Sequence, residues 1–245
     1  MIKNDILRHA RQCAPAESCG YIVRTAKGEQ YLPCENRSAK PTAYFRLSLE
    51  DYLKAQSLGE VVALVHSHPN GLPYLSDGDR TLQLQTSLPW WLVCDAQIYR
   101  FRCVPHLLGR QFEHGVMDCG TLVRDAYHLA GIELTNYPRE DNWWAHNKNY
   151  YLDNMAREGF YQTTLDKAQP GDMLLCCFGS SVANHAAIYC GKGELLHHVP
   201  NQLSQRERYN EKWERRTHSI WRHREWRPSA FMGIYNDLVA ALVSA

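Results

Sequence analysis

The chain has 245 residues, of which 44% are hydrophobic and 22% charged. These are values of a folded globular protein, so general disorder is excluded, and the length suffices for one large domain or two ordinary ones. A net charge of +1 gives no ground for expecting a nucleic-acid partner, and none is expected.

The N-terminal residues, MIKNDILRHARQC, are polar and charged in their first turns and lack the apolar centre of a signal peptide. No later window approaches the roughly 20 apolar residues of a membrane-spanning helix. We therefore expect no membrane span, and synthesis and folding in a cytoplasm. Nine cysteines, an odd number without a CxxC pair, predict mostly reduced thiols.

The first part of the chain alternates helix and strand patterns. Ser48 and Ser76 are predicted N-caps, and Gly59 is a predicted helix end. In chain order the sequence predicts a helix over 1–14, strands in CGYIVRT and GEQYLPCEN, a helix in SLEDYLKAQSLG, a strand in VVALVHSH, a helix in SDGDRTLQLQTSL and a hairpin of WWLVCD and IYRFRCV.

A short break with proline and glycine, PHLLGRQ, follows, and the pattern then restarts. The second part predicts a helix in DCGTLVRDAYHLAG, an aromatic loop in NYPREDNWWAHNKNYYL and strands in DMLLCCF, HAAIYC and ELLHHV. The sequence therefore predicts an α+β protein of two domains, residues 1–107 and 108–245.

The segment HSHPNGLPYLSDGD, from His66 to Asp79, combines metal-ligand residues with a short loop. Side chains alternate along a strand, so His66 and His68 point the same way at the end of VVALVHSH. Two imidazoles can share one Zn²⁺, and the loop returns Asp79 as a third ligand. Three protein ligands leave a fourth position for water, which is typical of a catalytic zinc.

Each member of this segment also has a simpler interpretation. Ser76 is explained as an N-cap, which is compatible with a hydrogen bond to a reacting oxygen. Asp79 could serve the helix dipole, and a histidine at a strand end could be a polar terminus.

His66-x-His68 followed by Ser76-x-x-Asp79 resembles the motif of the JAMM (MPN-type) metallopeptidases, and AESCGYIV supplies an upstream glutamate in the form that this family has. The resemblance implies a cytidine-deaminase-like α/β sandwich. It also implies Glu17 as the general base on water, His66, His68 and Asp79 as zinc ligands, and Ser76 as a stabiliser of the tetrahedral intermediate.

Cys119 begins the helix DCGTLVRDAYHLAG and leads its apolar stripe. An inert core cysteine is the simple interpretation. The helix N-terminus favours a thiolate, however, and predicts a lowered thiol pKa and a nucleophile. A base and its orienting partner are available on two predicted strands: His185 on the first, and His197 or His198 on the second. Geometry leaves the last two open, because one residue in the turn exchanges the strand faces.

The segments DCGTLVRDAY, AQPGDMLL, NHAAIY and LLHH resemble the NlpC/P60 cysteine peptidases. This implies a papain-like fold, Cys119 as nucleophile, His185 as base and His197, twelve residues on, as its orienting residue. Gly120 and Thr121 stand where Ser-Gly is common. Many members also have an upstream tyrosine near the nucleophile, and Phe112 and His114 occupy that neighbourhood here.

The pairing of these two domains resembles a family of tail-tip proteins of lambda-like phages. The resemblance implies cleavage of γ-D-glutamyl–diaminopimelate bonds in peptidoglycan stem peptides, and a zinc peptidase of unknown substrate. The partners implied are peptidoglycan peptides and other tail-tip proteins. The location implied is the host cytoplasm during assembly, then the virion tail tip at the host periplasm or cell wall. Alternatives are an assembly protein with one or both sites silent, and a metallopeptidase that matures a tail protein.

Three further segments keep two interpretations each. The aromatic loop with Trp143, Trp144, Tyr150 and Tyr151 predicts either a substrate groove or packing. The basic segment ERRTHSIWRHREWR predicts a polyanion patch or a solvated face. The C-terminal GIYNDLVAALVSA predicts a helix that packs on its own domain or docks on another tail protein.

Overall fold

The computed structural model describes residues 2–146 and 148–243. The chain forms two compact units, one on each side of the bond between Val104 and Pro105. Both units mix helices with a single sheet, which confirms the predicted two-domain α+β architecture.

The N-terminal unit is a five-stranded sheet with helices on both faces. In chain order its elements are α1 (Ile2–Cys13), β1 (Cys19–Thr25), β2 (Gly28–Cys34), α2 (Leu49–Leu58), β3 (Glu60–Ser67), α3 (Asp77–Thr86), β4 (Trp90–Cys94) and β5 (Gln97–Phe101). The strand order is β2-β1-β3-β4-β5, with β3 and β4 parallel and the other neighbours antiparallel.

Burial on each face of this sheet follows the period of two in its strands. One face packs Ile22, Ala63 and Val65 against Ile6 and Ala10 of α1. The other face has its own core, built around Trp90 and Leu92 and closed by Ala55 of α2. The C-terminal half of β3, near the two histidines, is buried on both faces, as the continuous apolar run predicts.

The two predicted N-caps in this unit are confirmed. Ser48 and Ser76 each accept a hydrogen bond from the amide three residues later, and the carboxylates of Asp51 and Asp79 accept from the amides of the serines. Both sites are therefore reciprocal capping boxes, and α2 ends at Gly59 as predicted.

The C-terminal unit contains a six-stranded antiparallel sheet, ordered β10-β9-β8-β7-β11-β6. In chain order its elements are α4 (Cys119–Leu129), α5 (Tyr150–Met155), β6 (Phe160–Thr163), β7 (Met173–Cys176), β8 (His185–Gly191), β9 (Glu194–His197), β10 (Gln205–Arg208), α6 (Glu211–Glu214), β11 (Thr217–His223) and α7 (Phe231–Val243). Helix α4 packs on β8, in the centre of the sheet.

Helix α7 packs on α4 within its own unit, which is the first of the two interpretations of the C-terminal segment. A Cβ at Gly233 would lie 1.9 Å from the carbonyl oxygen of Leu129, so only glycine allows this close approach. The buried Asp237 carboxylate accepts a hydrogen bond from the Leu107 amide and bonds to the His106 ring. These bonds fix α7 to the start of the unit.

Within residues 2–146 and 148–243, no helix is long and apolar enough to span a membrane. All nine cysteines lie in this part of the chain and are free thiols.

Candidate active sites

The two histidines of the N-terminal unit lie side by side at the end of β3. The Nε2 atoms of His66 and His68 are 3.2 Å apart. Oδ2 of Asp79 lies 3.4 Å from the first and 3.3 Å from the second. His68 is one residue beyond the strand, but its amide still bonds to the carbonyl of Val93, so the side chains of both histidines stay on one face.

These three atoms have the spacing of a metal site. Ligands at about 2.0–2.1 Å from a tetrahedral ion are about 3.3–3.4 Å from one another, which matches the observed separations. Among the residues that the structure describes, this is the one such cluster of three potential ligands. His68 Nδ1 lies 3.0 Å from the carbonyl oxygen of Leu72, which accepts its proton and leaves Nε2 free to bind a metal.

Ser76 positions the Asp79 carboxylate. Its amide donates to Asp79 Oδ2 at 2.8 Å, and its hydroxyl oxygen accepts from the Asp79 amide at 3.0 Å. The capping box therefore holds the same oxygen that faces the two histidines. The simple interpretation of Ser76 as an N-cap is correct, and its hydroxyl proton remains available for a second partner.

Glu17 reaches this cluster through strand pairing. Cys19 of β1 lies opposite His66 of β3, and the buried Ser67 hydroxyl accepts hydrogen bonds from the amide and the hydroxyl of Ser18. Glu17 is buried, and burial raises the pKa of its carboxyl to about 7, with His68 opposing and Asp79 adding to that shift. Ser67 is a positioning residue that the sequence motif did not reveal.

Cys119 of the C-terminal unit opens α4 and lines a cavity of about 220 Å³. His185, at the start of β8, lines the same cavity. Its other lining residues are mostly aromatic or charged: Phe112, His114, Asp118, Arg139, Trp143, Trp144, Tyr151, Phe178, Asn184, His198, Val199 and Pro200. The aromatic loop thus supplies cavity walls and also packs, since Trp143 is buried.

A tyrosine does approach the Cys119 thiol, but it comes from downstream in the sequence. The hydroxyl of Tyr151, in α5, lies 3.2 Å from Cys119 Sγ. Phe112 instead packs edge-on against His198. Sequence reasoning assigned Tyr151 only to an aromatic loop, because its contact with Cys119 depends on how that loop folds back over α4.

The pairing of β8 with β9 separates the two adjacent histidines. Ala187 lies opposite His197, so His197 shares a sheet face with His185, and their ring centroids are 6.0 Å apart. His198, one residue later, lines the cavity instead. A register shift between Tyr189 and Gly191 sets this arrangement, and no sequence pattern indicates such a shift.

Asp118 and Arg139 form a buried ion pair beside Cys119. The guanidinium contacts both carboxylate oxygens, at 2.8 Å and 3.0 Å. Asp118 also caps α4 by accepting a hydrogen bond from Thr121 N. A Cβ at Gly120 would lie 2.9 Å from the Arg139 guanidinium. Glycine at this position, where serine is common in the family, therefore leaves room for the ion pair of Asp118 and Arg139.

The predicted lowering of the Cys119 pKa is wrong. Burial and the adjacent Asp118 carboxylate raise the pKa of this thiol, and bonds from Tyr151 and the Ala186 amide offset only part of the rise. Burial, with His197 and His198 nearby, lowers the pKa of His185 to about 3. The resting pair is therefore a neutral thiol and a neutral imidazole.

Alkylation of Cys119 by iodoacetamide is expected to accelerate about tenfold per pH unit between about pH 6 and 9, because the thiolate fraction grows by that factor below a raised pKa. Peptide mapping by mass spectrometry would separate Cys119 from the other eight thiols. A rate that levels off below neutral pH would contradict this account, since it would indicate a thiolate–imidazolium pair at rest.

The basic segment from Glu214 to Arg227 is largely engaged in intrachain contacts. Arg222 pairs with Asp172, Arg215 pairs with Glu211, and Arg216 lies over the ring of Phe178. These contacts favour the interpretation of this segment as a solvated, paired face.

Two family models match the chain, one on each unit. The prokaryotic homologs of the JAB domain match residues 2–104, and the NlpC/P60 family matches residues 109–222. The chain therefore joins a JAB-like domain to an NlpC/P60 domain. Each cluster of candidate residues falls inside one of these matches.

The chain belongs to the family of the tail tip assembly protein K. It is 70% identical to the protein of that name from Escherichia phage lambda over 195 residues, which cover 80% of this chain and 98% of the relative. The corresponding protein of Escherichia phage N15 is 36% identical over 231 residues, 91% of this chain and 94% of the relative.

Solved structures overlap more loosely. An NlpC/P60 family protein from Bacillus cereus matches 88% of this chain and 66% of its own, less than two thirds, with a TM-score of 0.39 and 13% identity. NlpC1 from Trichomonas vaginalis matches 84% of this chain and 69% of its own, with a TM-score of 0.36 and 14% identity. Similarity this low identifies neither a substrate nor a shared domain arrangement.

Proposed function

We propose that the C-terminal unit is a cysteine peptidase that cleaves peptidoglycan stem peptides at the γ-D-glutamyl–diaminopimelate bond. The observation that carries the proposal is the cavity shared by Cys119 and His185, with a thiol at a helix N-terminus and an imidazole at a strand start. A nucleophile and a base that open into one aromatic-walled cavity are the parts that acyl transfer requires.

The reaction proceeds through a thioester. His185 accepts the thiol proton as Cys119 Sγ attacks the peptide carbonyl, and then gives that proton to the leaving amine. The Cys119 amide, in the first turn of α4, and the Tyr151 hydroxyl are donors for the developing oxyanion. Water then attacks the thioester, with His185 again as the base. Because the resting pair is neutral, proton transfer accompanies the attack.

Tyr151→Phe is expected to slow alkylation of Cys119 at pH 8 by roughly 3- to 10-fold, because the variant loses a hydrogen bond that stabilises the thiolate. Tyr150→Phe is the matched control, since Tyr150 neighbours it in α5 and packs against Trp143 but does not line the cavity. An unchanged rate in Tyr151→Phe would show that the 3.2 Å contact does not tune the thiol.

The N-terminal unit is proposed as a zinc-dependent peptidase on a peptide or isopeptide bond. His66, His68 and Asp79 would hold the ion, which when bound polarises a carbonyl and acidifies water. Glu17 takes a proton from the attacking water and passes it to the leaving amine, a role suited to a carboxyl with a pKa near neutrality. The Ser76 hydroxyl donates to the oxygen of the tetrahedral intermediate.

The biological setting follows from the relatives, which are named for assembly of the tail tip. We extend that role to this chain: it joins other tail-tip proteins in the host cytoplasm and then acts from the virion at the periplasm or cell wall. A peptidase there would cut the stem peptides that link the wall strands in the path of the tail. The alternative hypothesis is a tail-tip assembly protein whose candidate active sites are inactive. Activity measurements distinguish it from the peptidase hypothesis.

The test is incubation of the full chain with the stem peptide L-Ala-γ-D-Glu-diaminopimelate-D-Ala, with products identified by mass spectrometry. The expected products are L-Ala-D-Glu and diaminopimelate-D-Ala. Glu17→Gln should cut this peptide at the wild-type rate, whereas Cys119→Ala should not. An intact peptide in every sample, or equal cleavage by Cys119→Ala, would remove the cysteine-peptidase proposal.

A further inference from the structure

The base histidine lies in a buried group of rings on the face of the sheet that holds Trp213. The His185 ring centroid is 4.9 Å from that of Phe178 and 5.9 Å from that of Trp213, while the His197 centroid is 4.6 Å from that of Trp213. Both histidines are almost inaccessible to solvent. Hydrogen bonds within such an apolar enclosure determine which ring nitrogen carries a proton.

One end of this group is an acidic residue. Glu207, on β10, lies opposite Leu195 of β9, and its Oε2 is 3.1 Å from Nε2 of His197. Lys212 lies near its other oxygen, Oε1, at 3.8 Å. A carboxylate only accepts hydrogen bonds, so Nε2 of His197 is the donor.

Two further ring nitrogens lie in the same enclosure. Nε2 of His185 and Nδ1 of His197 are buried, and neither has a hydrogen-bond partner among the described residues. Burial lowers the pKa of His197, so its ring is neutral and Nδ1, opposite the protonated Nε2, is an acceptor. A hydrogen bond from an Nε2–H of His185 to this acceptor is not among those that the structure shows, but the two rings are neighbours and such a bond would satisfy both buried atoms at once.

We propose that Glu207 is a positioning residue for the peptidase, setting the tautomers of His197 and His185 in series. With Nε2 of each ring protonated, Nδ1 of His185 is the bare nitrogen that accepts the thiol proton of Cys119. Loss of the carboxylate releases both rings to the opposite tautomer, in which His185 presents a donor and not a base. Glu207 touches no substrate in this arrangement and acts only through His197.

The expected change in kcat rests on the proposed peptidase activity. The expected histidine tautomers do not. The test compares the full chain with Glu207→Leu, which removes the acceptor, Glu207→Asp, which keeps it, and the matched control Glu194→Leu. Glu194 is exposed to a similar degree on the neighbouring strand and pairs with Arg206 at 3.0 Å. Long-range ¹H–¹⁵N spectra of histidine-labelled protein report the tautomer of each ring, and stem-peptide cleavage gives kcat and KM.

The expected result is Nε2–H at both His197 and His185 in wild type and in Glu194→Leu, and a shift toward Nδ1–H in Glu207→Leu. The kcat of Glu207→Leu should fall by roughly 10- to 100-fold with KM nearly unchanged, and Glu207→Asp should retain part of the wild-type activity. Nδ1–H at His197 in wild type, or identical ring spectra in wild type and Glu207→Leu, would overturn the inference. A wild-type chain that cleaves nothing would count against the proposed function alone, because the spectra are independent of activity.

Discussion

Replacing Cys119 with alanine is expected to lower the rate of stem-peptide cleavage by at least about 1,000-fold, since the variant loses the atom that forms the thioester. Among the described residues that line the cavity, Cys119 alone carries a thiol, and none carries an aliphatic hydroxyl. Among these described lining residues, no second thiol or aliphatic hydroxyl is therefore available to take over the attack. Alanine fits the buried position of the thiol without new polar contacts, so α4 and its Asp118 cap should persist.

Cys190→Ala is the matched control for this substitution. Cys190 is a second free cysteine of the same unit, on the same strand as His185, and it does not line the cavity. Its replacement should leave the cleavage rate within about twofold of wild type. Equal losses in both variants would mean that the Cys119 effect reflects a damaged fold, and the nucleophile would have to be sought elsewhere.

Asp79→Asn is expected to weaken zinc binding by at least about 100-fold. Loss of a residue that only hydrogen-bonds to a metal ligand lowers metal affinity by about 10- to 100-fold, and loss of a charged ligand should lower it at least as much. Asparagine keeps a side-chain oxygen that can accept from the Ser76 amide, so the cap of α3 should survive while the negative charge is lost. Metal analysis of chain purified without chelator measures the effect, with about one zinc per chain expected in wild type.

Two control variants test whether the loss of zinc is specific to Asp79. Asp77→Asn changes an exposed neighbour in the first turn of the same helix and should keep its zinc. Glu17→Gln should also keep zinc while losing peptidase activity, because Glu17 is proposed as a base and not a ligand. A wild-type chain that neither retains nor takes up zinc would contradict the proposed metal site.

Features that depend on neighbouring residues in the sequence could be predicted. The caps at Ser48 and Ser76 and the shared face of His66 and His68 follow from spacings of two or three residues. Glu17 came only from a family resemblance, since its approach to His66 depends on the pairing of β1 with β3, some fifty residues apart in the sequence.

The features that were missed depend on tertiary packing. Tyr151 reaches Cys119 across 32 residues, and the separation of His197 from His198 depends on the β8–β9 register. The pKa of Cys119 was predicted from its helix terminus alone. Burial on all sides and the carboxylate of Asp118 outweigh that local effect. Sequence patterns therefore indicated Cys119 as the candidate nucleophile but not the residues that surround it.

The central claim, that Cys119 is the peptidase nucleophile, is tested most directly with a chloromethyl ketone built on L-Ala-γ-D-Glu, which places an electrophilic carbon where the scissile bond would lie. The labelled chain is digested, the modified residue is located by mass spectrometry, and the remaining stem-peptide cleavage is measured on the same samples. We expect one equivalent of label at Cys119 and cleavage that falls in proportion to labelling. Cleavage that persists after Cys119 is fully modified, or that stops when another residue is labelled, would contradict it.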